Sequence, residues 1–353
     1  MAAKTLVFAA AGGARLPCRR AGASSRAAAS RPPSFARRIS LAGFGAALLN
    51  TSSSRTHRAS ASSESAPGMK IDSHLHVWAD VDQAAEFPFP GGEPPYAGSA
   101  ELLIDSMKEP GVHGALIVQP ANHKFDHSYV TSAMAAHPGR FVGCLLADPT
   151  DGGGGVAELE RLVAEEGYRA ARFNPYLWPE GRGMADEVGM AMYKRAGELG
   201  VPVGIMTFKG LLNHIDDIRQ LCDASPQTTL MMDHFGFCKC ATPDSEEWKA
   251  LLDLAKYPQV YIKTSAFFRV SADPYPYMDS RPMLRRLVDT FGPERLLWGT
   301  DFPWITAECG YTKAWSLLAD GDAMAGGEPL LSAEEQRMIM GGNLARLFPG
   351  GWY

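Results

Sequence analysis

From residue 69 onward the chain repeats one unit: a short run of apolar and β-branched residues, then a stretch with its apolar residues on one helical face. The runs are MKIDSHLH (69–76), GALIVQP (114–120), FVGCLLADP (141–149), YRAARFNP (168–175), VPVGIM (201–206), TTLMMDHFG (228–236), VYIKTSAF (260–267) and LLWGTDFP (296–303). They start roughly 25 to 45 residues apart, room for a strand and its return helix in each interval. Eight such units predict a (β/α)8 barrel, with a doubly wound open sheet as the architectural alternative. No boundary shows after residue 69, so the chain reads as a leading segment over 1–68 and a barrel over 69–353.

The intervening stretches carry helix signals. GVAELERLVAEEG (155–167) sets Val156, Leu159, Leu162 and Val163 on one face and stops at Gly167. SEEWKALLDLAKY (245–257) opens on Ser245, a natural N-cap, and SAEEQRMIM (332–340) pairs Ser332 with Glu335 as a capping box. The connection after the first strand, residues 79–100, is long and rich in Pro and Gly. Its Phe87, Phe89 and Tyr96 favour a packed lid over surface decoration.

Residues 1–68 have a different composition: ten basic residues, one acid (Glu64), and much Ala and Ser. That is the pattern of an organellar transit peptide, a disordered native tail being the alternative. Twin arginines, Arg37 and Arg38, precede a short apolar stretch ending at Leu49, and an Ala-Ser-Ala follows at 59–61. The expected address is the chloroplast, stroma before thylakoid lumen, with the mitochondrion third. The apolar stretch is too short to span a bilayer. Without this segment 24 basic residues face 38 acidic ones, a net charge of −14. A domain so acidic is a poor partner for nucleic acid or an anionic membrane, and points to a small-molecule substrate met by local cations. The cysteines, at 18, 144, 222, 238, 240 and 309, lack zinc-finger spacing and read as free, mostly buried thiols.

In a (β/α)8 barrel the reacting groups stand where strands end. The first run ends in His74 and His76, which share a face at i and i+2. The second ends in Gln119, followed by Asn122 and His123; the fourth carries Arg169, Arg172 and Asn174, the last two on one face. The sixth ends in Asp233 and His234, the seventh holds Lys263, Thr264 and Ser265, and the eighth ends in Asp301. Each has an ordinary structural reading, as a cap, an ion pair or a snorkelling cation. Ionisable groups closing at least four apolar strands on one rim are better explained by a shared site.

The motifs IDSHLHVW, GYRAARFN, DHFG, LLWGTDFP and IMGGNLARLF, in this order over residues 69–348, resemble the amidohydrolase-related family of the amidohydrolase superfamily. The resemblance implies a (β/α)8 barrel, with hydrolases, lactonases and some decarboxylases among its relatives. In metal-binding members it implies a divalent ion on His74, His76 and Asp301, with His234 working on the substrate or leaving group. Where such members place a fifth-strand histidine this chain has Met206, whose thioether is a poor ligand for zinc or manganese. That departure is most similar to the metal-independent lactonases typified by 2-pyrone-4,6-dicarboxylate lactonase. No cofactor is therefore the first expectation, and Zn2+ or Mn2+ held by His74, His76 and Asp301 the alternative.

The expected reaction is hydrolysis of a lactone or activated ester of a small carboxylated substrate. Asp301 is the expected general base, and His74, His76 and His234 the expected oxyanion stabilisers. Arg172 is expected to hold a substrate carboxylate, with Asn174, Gln119, Arg169 and Lys263 as further substrate contacts. A metal-dependent decarboxylase or amidohydrolase, and a non-catalytic barrel binding a small acid, are the rival readings.

Overall fold

The computed structural model describes residues 68–319 and 330–353. Eight parallel strands, β1 (Lys70–Leu75), β2 (Val112–Val118), β3 (Phe141–Leu146), β4 (Ala170–Phe173), β5 (Val203–Ile205), β6 (Leu230–Met232), β7 (Val260–Ser265) and β8 (Leu296–Gly299), pair in sequence order. Helices fill the intervals, which makes the (β/α)8 barrel expected from the repeat. The leading segment over 1–68 lies, but for Gly68, outside the described residues, as does the chloroplast address read from it.

The barrel closes beyond the β8 ladder. Asp301 N donates to His74 O at 2.8 Å, and His76 N donates to Phe302 O at 2.7 Å. Buried Asp72 ties the same seam. Its Oδ1 accepts from His74 N and Thr300 N, and its Oδ2 from the Thr300 and Tyr311 hydroxyls. Gly299 lets the strands approach this closely: a Cβ there would stand 2.7 Å from His74 N.

Inside the barrel Ile71, Leu116, Val118, Val142, Cys144, Ala170, Met231 and Leu297 pack with Leu344, Phe348 and Trp352 of the C-terminal segment. Alternate strand residues face outward under the helices, so both faces of each strand are buried, as a parallel sheet requires. The helix Gly155–Glu165 buries Leu159 and Leu162 as its spacing predicts. Ser245 caps Glu246–Asp253 through Trp248 N, and Ser332 with Glu335 forms the expected capping box.

The helix expected over 332–340 differs. After Ala333–Arg337 the chain widens into a π turn, Met338–Gly342, in which Gly341 leaves helical geometry and packs where a Cβ would lie 2.1 Å from Met69 O. Strand β6 is also shorter than its apolar run: His234, Phe235, Gly236 and Phe237 take left-handed backbone. The 79–100 connection is packed down. Phe87 meets the Tyr129 ring, Phe89 stacks on His123, and the Trp78 indole donates to Tyr96 O at 2.8 Å. Cys144, Cys222, Cys238, Cys240 and Cys309 are unpaired thiols. Among the described residues no helix is long and apolar enough to cross a membrane.

Candidate active site

A bulge in β1 aims the two histidines. Asp72 pairs with Ala115 and Leu75 with Ile117, so three steps on β1 match two on β2. The extra residue resets the alternation, so that Ile71 faces the barrel interior and His74 and His76 also face it beyond the bulge. Their rings stand 5.2 Å apart and nearly perpendicular. Asp301 and His234 reach the same space from residues with φ of +62° and +46°, conformations that cost on the order of 1–3 kcal/mol each outside glycine. Such strain persists where the surrounding fold holds a side chain at a required place.

The four side chains surround one carboxylate oxygen. Asp301 Oδ1 is 3.5 Å from His76 Nε2 and 3.9 Å from both His74 Nε2 and His234 Nε2. It is buried without a hydrogen-bond partner, and so is His74 Nε2. The other carboxylate oxygen accepts from Arg269 Nε at 2.5 Å. Burial pushes the Asp301 carboxyl up to about 6, although Arg269 beside it pulls downward. Burial likewise lowers the imidazoles, His74 to about 3 and His76 and His234 well below their ordinary range, so all three rings are neutral near pH 7.

The ring partners set which nitrogen carries each proton. His76 Nδ1 lies 2.8 Å from Val118 O, an acceptor only; Nδ1 therefore holds the hydrogen and Nε2 presents a lone pair. A neutral ring in this tautomer accepts at Nε2. His234 Nδ1 meets the Ser265 hydroxyl at 2.8 Å, a group able to donate or accept.

Below this layer lies a buried charge network. Asp233 Oδ1 is 3.1 Å from Lys263 Nζ and 3.1 Å from His74 Nδ1, and its Oδ2 is 3.0 Å from an Arg172 Nη. Burial alone would raise the Asp233 carboxyl, but Lys263, His74 and Arg172 outweigh it and hold the group well below the usual range. Arg172 thus stands in the interior beside the site with one Nη on Asp233, and Lys263 sits under His74. Gln119, behind β2, donates to Lys124 O and Asp126 O and so braces the loop that follows. Asn174 Oδ1 accepts from Tyr176 N and shapes the turn after β4. Arg169 is remote from the cluster: it precedes β4, lies over Phe348 and donates to Pro349 O at the opposite end of the barrel.

Arg269 was not singled out from the sequence, although it touches Asp301. The only signal is a cation just past the seventh run, after two phenylalanines. Its guanidinium lies over the Phe268 and Trp304 rings. Tyr96 of the 79–100 connection is near enough to Arg269 and Asp301 to feel both charges, while burial pushes its phenol up to about 12.

A model of the amidohydrolase family, Amidohydro_2, matches residues 71–350. The chain belongs to that family. A 4-sulfomuconolactone hydrolase from Hydrogenophaga intermedia is 28% identical over 290 residues, covering 78% of this chain and 88% of that protein. Among solved structures, a Pseudomonas putida protein assigned as a 2-pyrone-4,6-dicarboxylic acid hydrolase superposes with a TM-score of 0.67. It is 22% identical and covers 80% of this chain and 98% of that one. A 2,6-dihydroxybenzoate decarboxylase from Rhizobium superposes with a TM-score of 0.57 at 14% identity, covering 79% and 98%. At those identities the two structures speak for the fold. Lactone hydrolases are thus among the relatives of this amidohydrolase.

Three side chains of the site form a candidate donor set for a metal ion. Ligand atoms, one each from His74, His76 and Asp301, lie within 4.8 Å of one another, and two imidazoles with one carboxylate suit a divalent ion that keeps an open position. The residue after β5, half-buried Met206, is the sulfur-bearing departure noted above. A Cβ at Gly204 would face Arg172 and Asp233, so two residues on Met206 shares the interior face. By donor type and spacing the three residues fit a divalent ion.

Proposed function

We propose that this amidohydrolase hydrolyses a lactone or an activated ester of a small anionic acid, with Asp301 as general base. The observation that carries the reading is Asp301 Oδ1: buried, unpartnered, and 3.5 Å from the lone pair of His76 Nε2. Two acceptors side by side can hold both hydrogens of one water and leave its lone pair for the carbonyl carbon. Asp301 takes one proton as the carbon–oxygen bond forms. The carbonyl becomes an oxyanion, and an N–H at His74 Nε2 or His234 Nε2 stabilises it by about 3–4 kcal/mol per well-placed donor. Collapse breaks the ester bond, and the leaving oxygen takes the proton back from Asp301. The products are a hydroxy acid, or its keto tautomer from an enol lactone.

Arg269, about a third exposed beside Asp301, is the cation we assign to a substrate carboxylate, and Arg172 behind it adds positive potential. Were a divalent ion bound, His74, His76 and Asp301 would hold it, and it would supply Lewis-acid polarisation of the carbonyl. The relatives' names support the lactone class: one is a 4-sulfomuconolactone hydrolase, the other is assigned to 2-pyrone-4,6-dicarboxylic acid.

The test is turnover on a panel of carboxylated and sulfonated lactones, sugar lactones and hydroxybenzoates, followed by proton release and by CO2 release. Proton release from an anionic lactone is the expected result. CO2 release from a hydroxybenzoate, with every lactone untouched, would replace this reading by decarboxylation.

A further inference from the structure

His74 Nδ1 has two close neighbours with opposite demands. Lys263 Nζ lies 3.1 Å away and donates to it; Asp233 Oδ1 lies at the same distance and can only accept. The two contacts are not equivalent. Lys263 Nζ makes a hydrogen bond to the ring, and an ammonium can only donate it, whereas Asp233 Oδ1 stands at ion-pair distance from both Nδ1 and the ammonium. Asp233 does not need that proton, since Lys263 and Arg172 already stand against its two oxygens. An ammonium has three donors and no acceptor. Lys263 is also fully buried on β7, its ammonium held between His74 Nδ1 and Asp233.

We infer that Lys263 fixes the tautomer of His74: its ammonium occupies Nδ1 from inside the barrel, the ring proton sits on Nε2, and His74 faces the reacting carbonyl as a hydrogen-bond donor. The two histidines of β1 then carry opposite tautomers. The Val118 carbonyl makes His76 an acceptor at Nε2 and the Lys263 ammonium makes His74 a donor there. One orients the water and the other receives the oxyanion, a division of labour that rests on the ester-hydrolysis reading above. The tautomer itself does not rest on it. A second consequence concerns metal. For His74 to ligate through Nε2 the proton must move to Nδ1, which breaks the lysine hydrogen bond and leaves the ammonium facing an N–H. Lys263 is thus a positioning residue that works against the ion the other donors would accept.

The experiment is nitrogen NMR of the full chain labelled in its histidine rings, with His74 assigned by the signal lost in His74→Gln. The wild type is expected to show the Nε2–H pattern at His74 and the Nδ1–H pattern at His76. In Lys263→Met the His74 pattern should switch to Nδ1–H toward Asp233, and zinc affinity, read by competition with a chelator dye, should rise by about tenfold or more. In Lys263→Gln the side-chain amide can still donate to Nδ1, and the wild-type pattern should persist. An Nδ1–H signal for His74 in the wild type overturns the inference, and needs no variant to fold. Unchanged zinc affinity in a folded Lys263→Met overturns the metal consequence. Should no ester be hydrolysed while His74 shows Nε2–H, the tautomer assignment stands and the reaction reading falls.

Discussion

Arg269 holds one oxygen of Asp301 at 2.5 Å and leaves the other, Oδ1, without a hydrogen-bond partner in the middle of His74, His76 and His234. The guanidinium keeps the carboxylate oriented and charged; burial keeps it basic. With the carboxyl near 6, the base form dominates at neutral pH and is lost below. We expect kcat/KM to rise with pH through about 6 and then level. Asp301→Asn should lower kcat by about a thousandfold and abolish that limb. The same shift has a sign for stability. A carboxyl raised in the folded state binds its proton more tightly there, so ionising it costs the fold. Relative to Asp301→Asn, the wild type should therefore gain stability as pH falls from about 6 toward 4. Urea midpoints at the two ends of that window measure it. Near-wild-type turnover in the asparagine variant would remove Asp301 from the mechanism.

Removing the guanidinium tests the other half of the pair. Arg269→Ala takes away the charge that opposes burial, so the acidic limb of the rate profile should move to higher pH. If Arg269 also meets a substrate carboxylate, KM for an anionic lactone should rise roughly tenfold or more while a neutral lactone is affected less. A profile that stays in place, with equal losses on both substrates, would leave Arg269 a structural partner only.

The barrel was legible because its signal is repeated: eight apolar runs at regular spacing leave few other ways to bury both faces of each strand. His74, His76, His234 and Asp301 were legible because they end such runs. What the sequence hid is what depends on distance across the barrel. Asp233 reads as a helix cap until Lys263 and Arg172, from β7 and β4, are seen on its two oxygens. Arg169 and Arg172 differ by three residues and face opposite ends of the barrel, which short-range parity left open. Arg269 lies past its strand in a loop, where no periodicity points. The tautomer of His76 hangs on a backbone carbonyl of the neighbouring strand, which side-chain patterns do not record.

Met206→His asks whether the fifth strand alone separates this site from a metal-loaded one. The position shares the interior face with Gly204, and an imidazole there would add a nitrogen to the set His74, His76 and Asp301. Zinc affinity should rise by about tenfold or more, measured by chelator competition on protein purified without metal. Affinity that does not change would place the barrier elsewhere, with Lys263 under His74 the first candidate.

The seam between β1 and β8 makes the last prediction, because the site depends on it. Asp72 has four donors converging on it: His74 N, Thr300 N, the Thr300 hydroxyl at 2.6 Å and the Tyr311 hydroxyl. Burial pushes its carboxyl up to about 6 against these hydrogen bonds, so its value lies in satisfying donors more than in its charge. Asp72→Ala strands two backbone N–H groups in the interior and should destabilise the chain by about 3 kcal/mol or more. Asp72→Asn keeps one acceptor oxygen and should lose about half as much. Because His74 N and Thr300 N flank His74 and Asp301, the alanine variant should also lower kcat even in its folded fraction. Urea unfolding of the two variants, with kcat measured below the transition, checks both effects. An alanine variant within about 1 kcal/mol of wild type would mean that the backbone hydrogen bonds from His76 and Asp301 hold the seam alone.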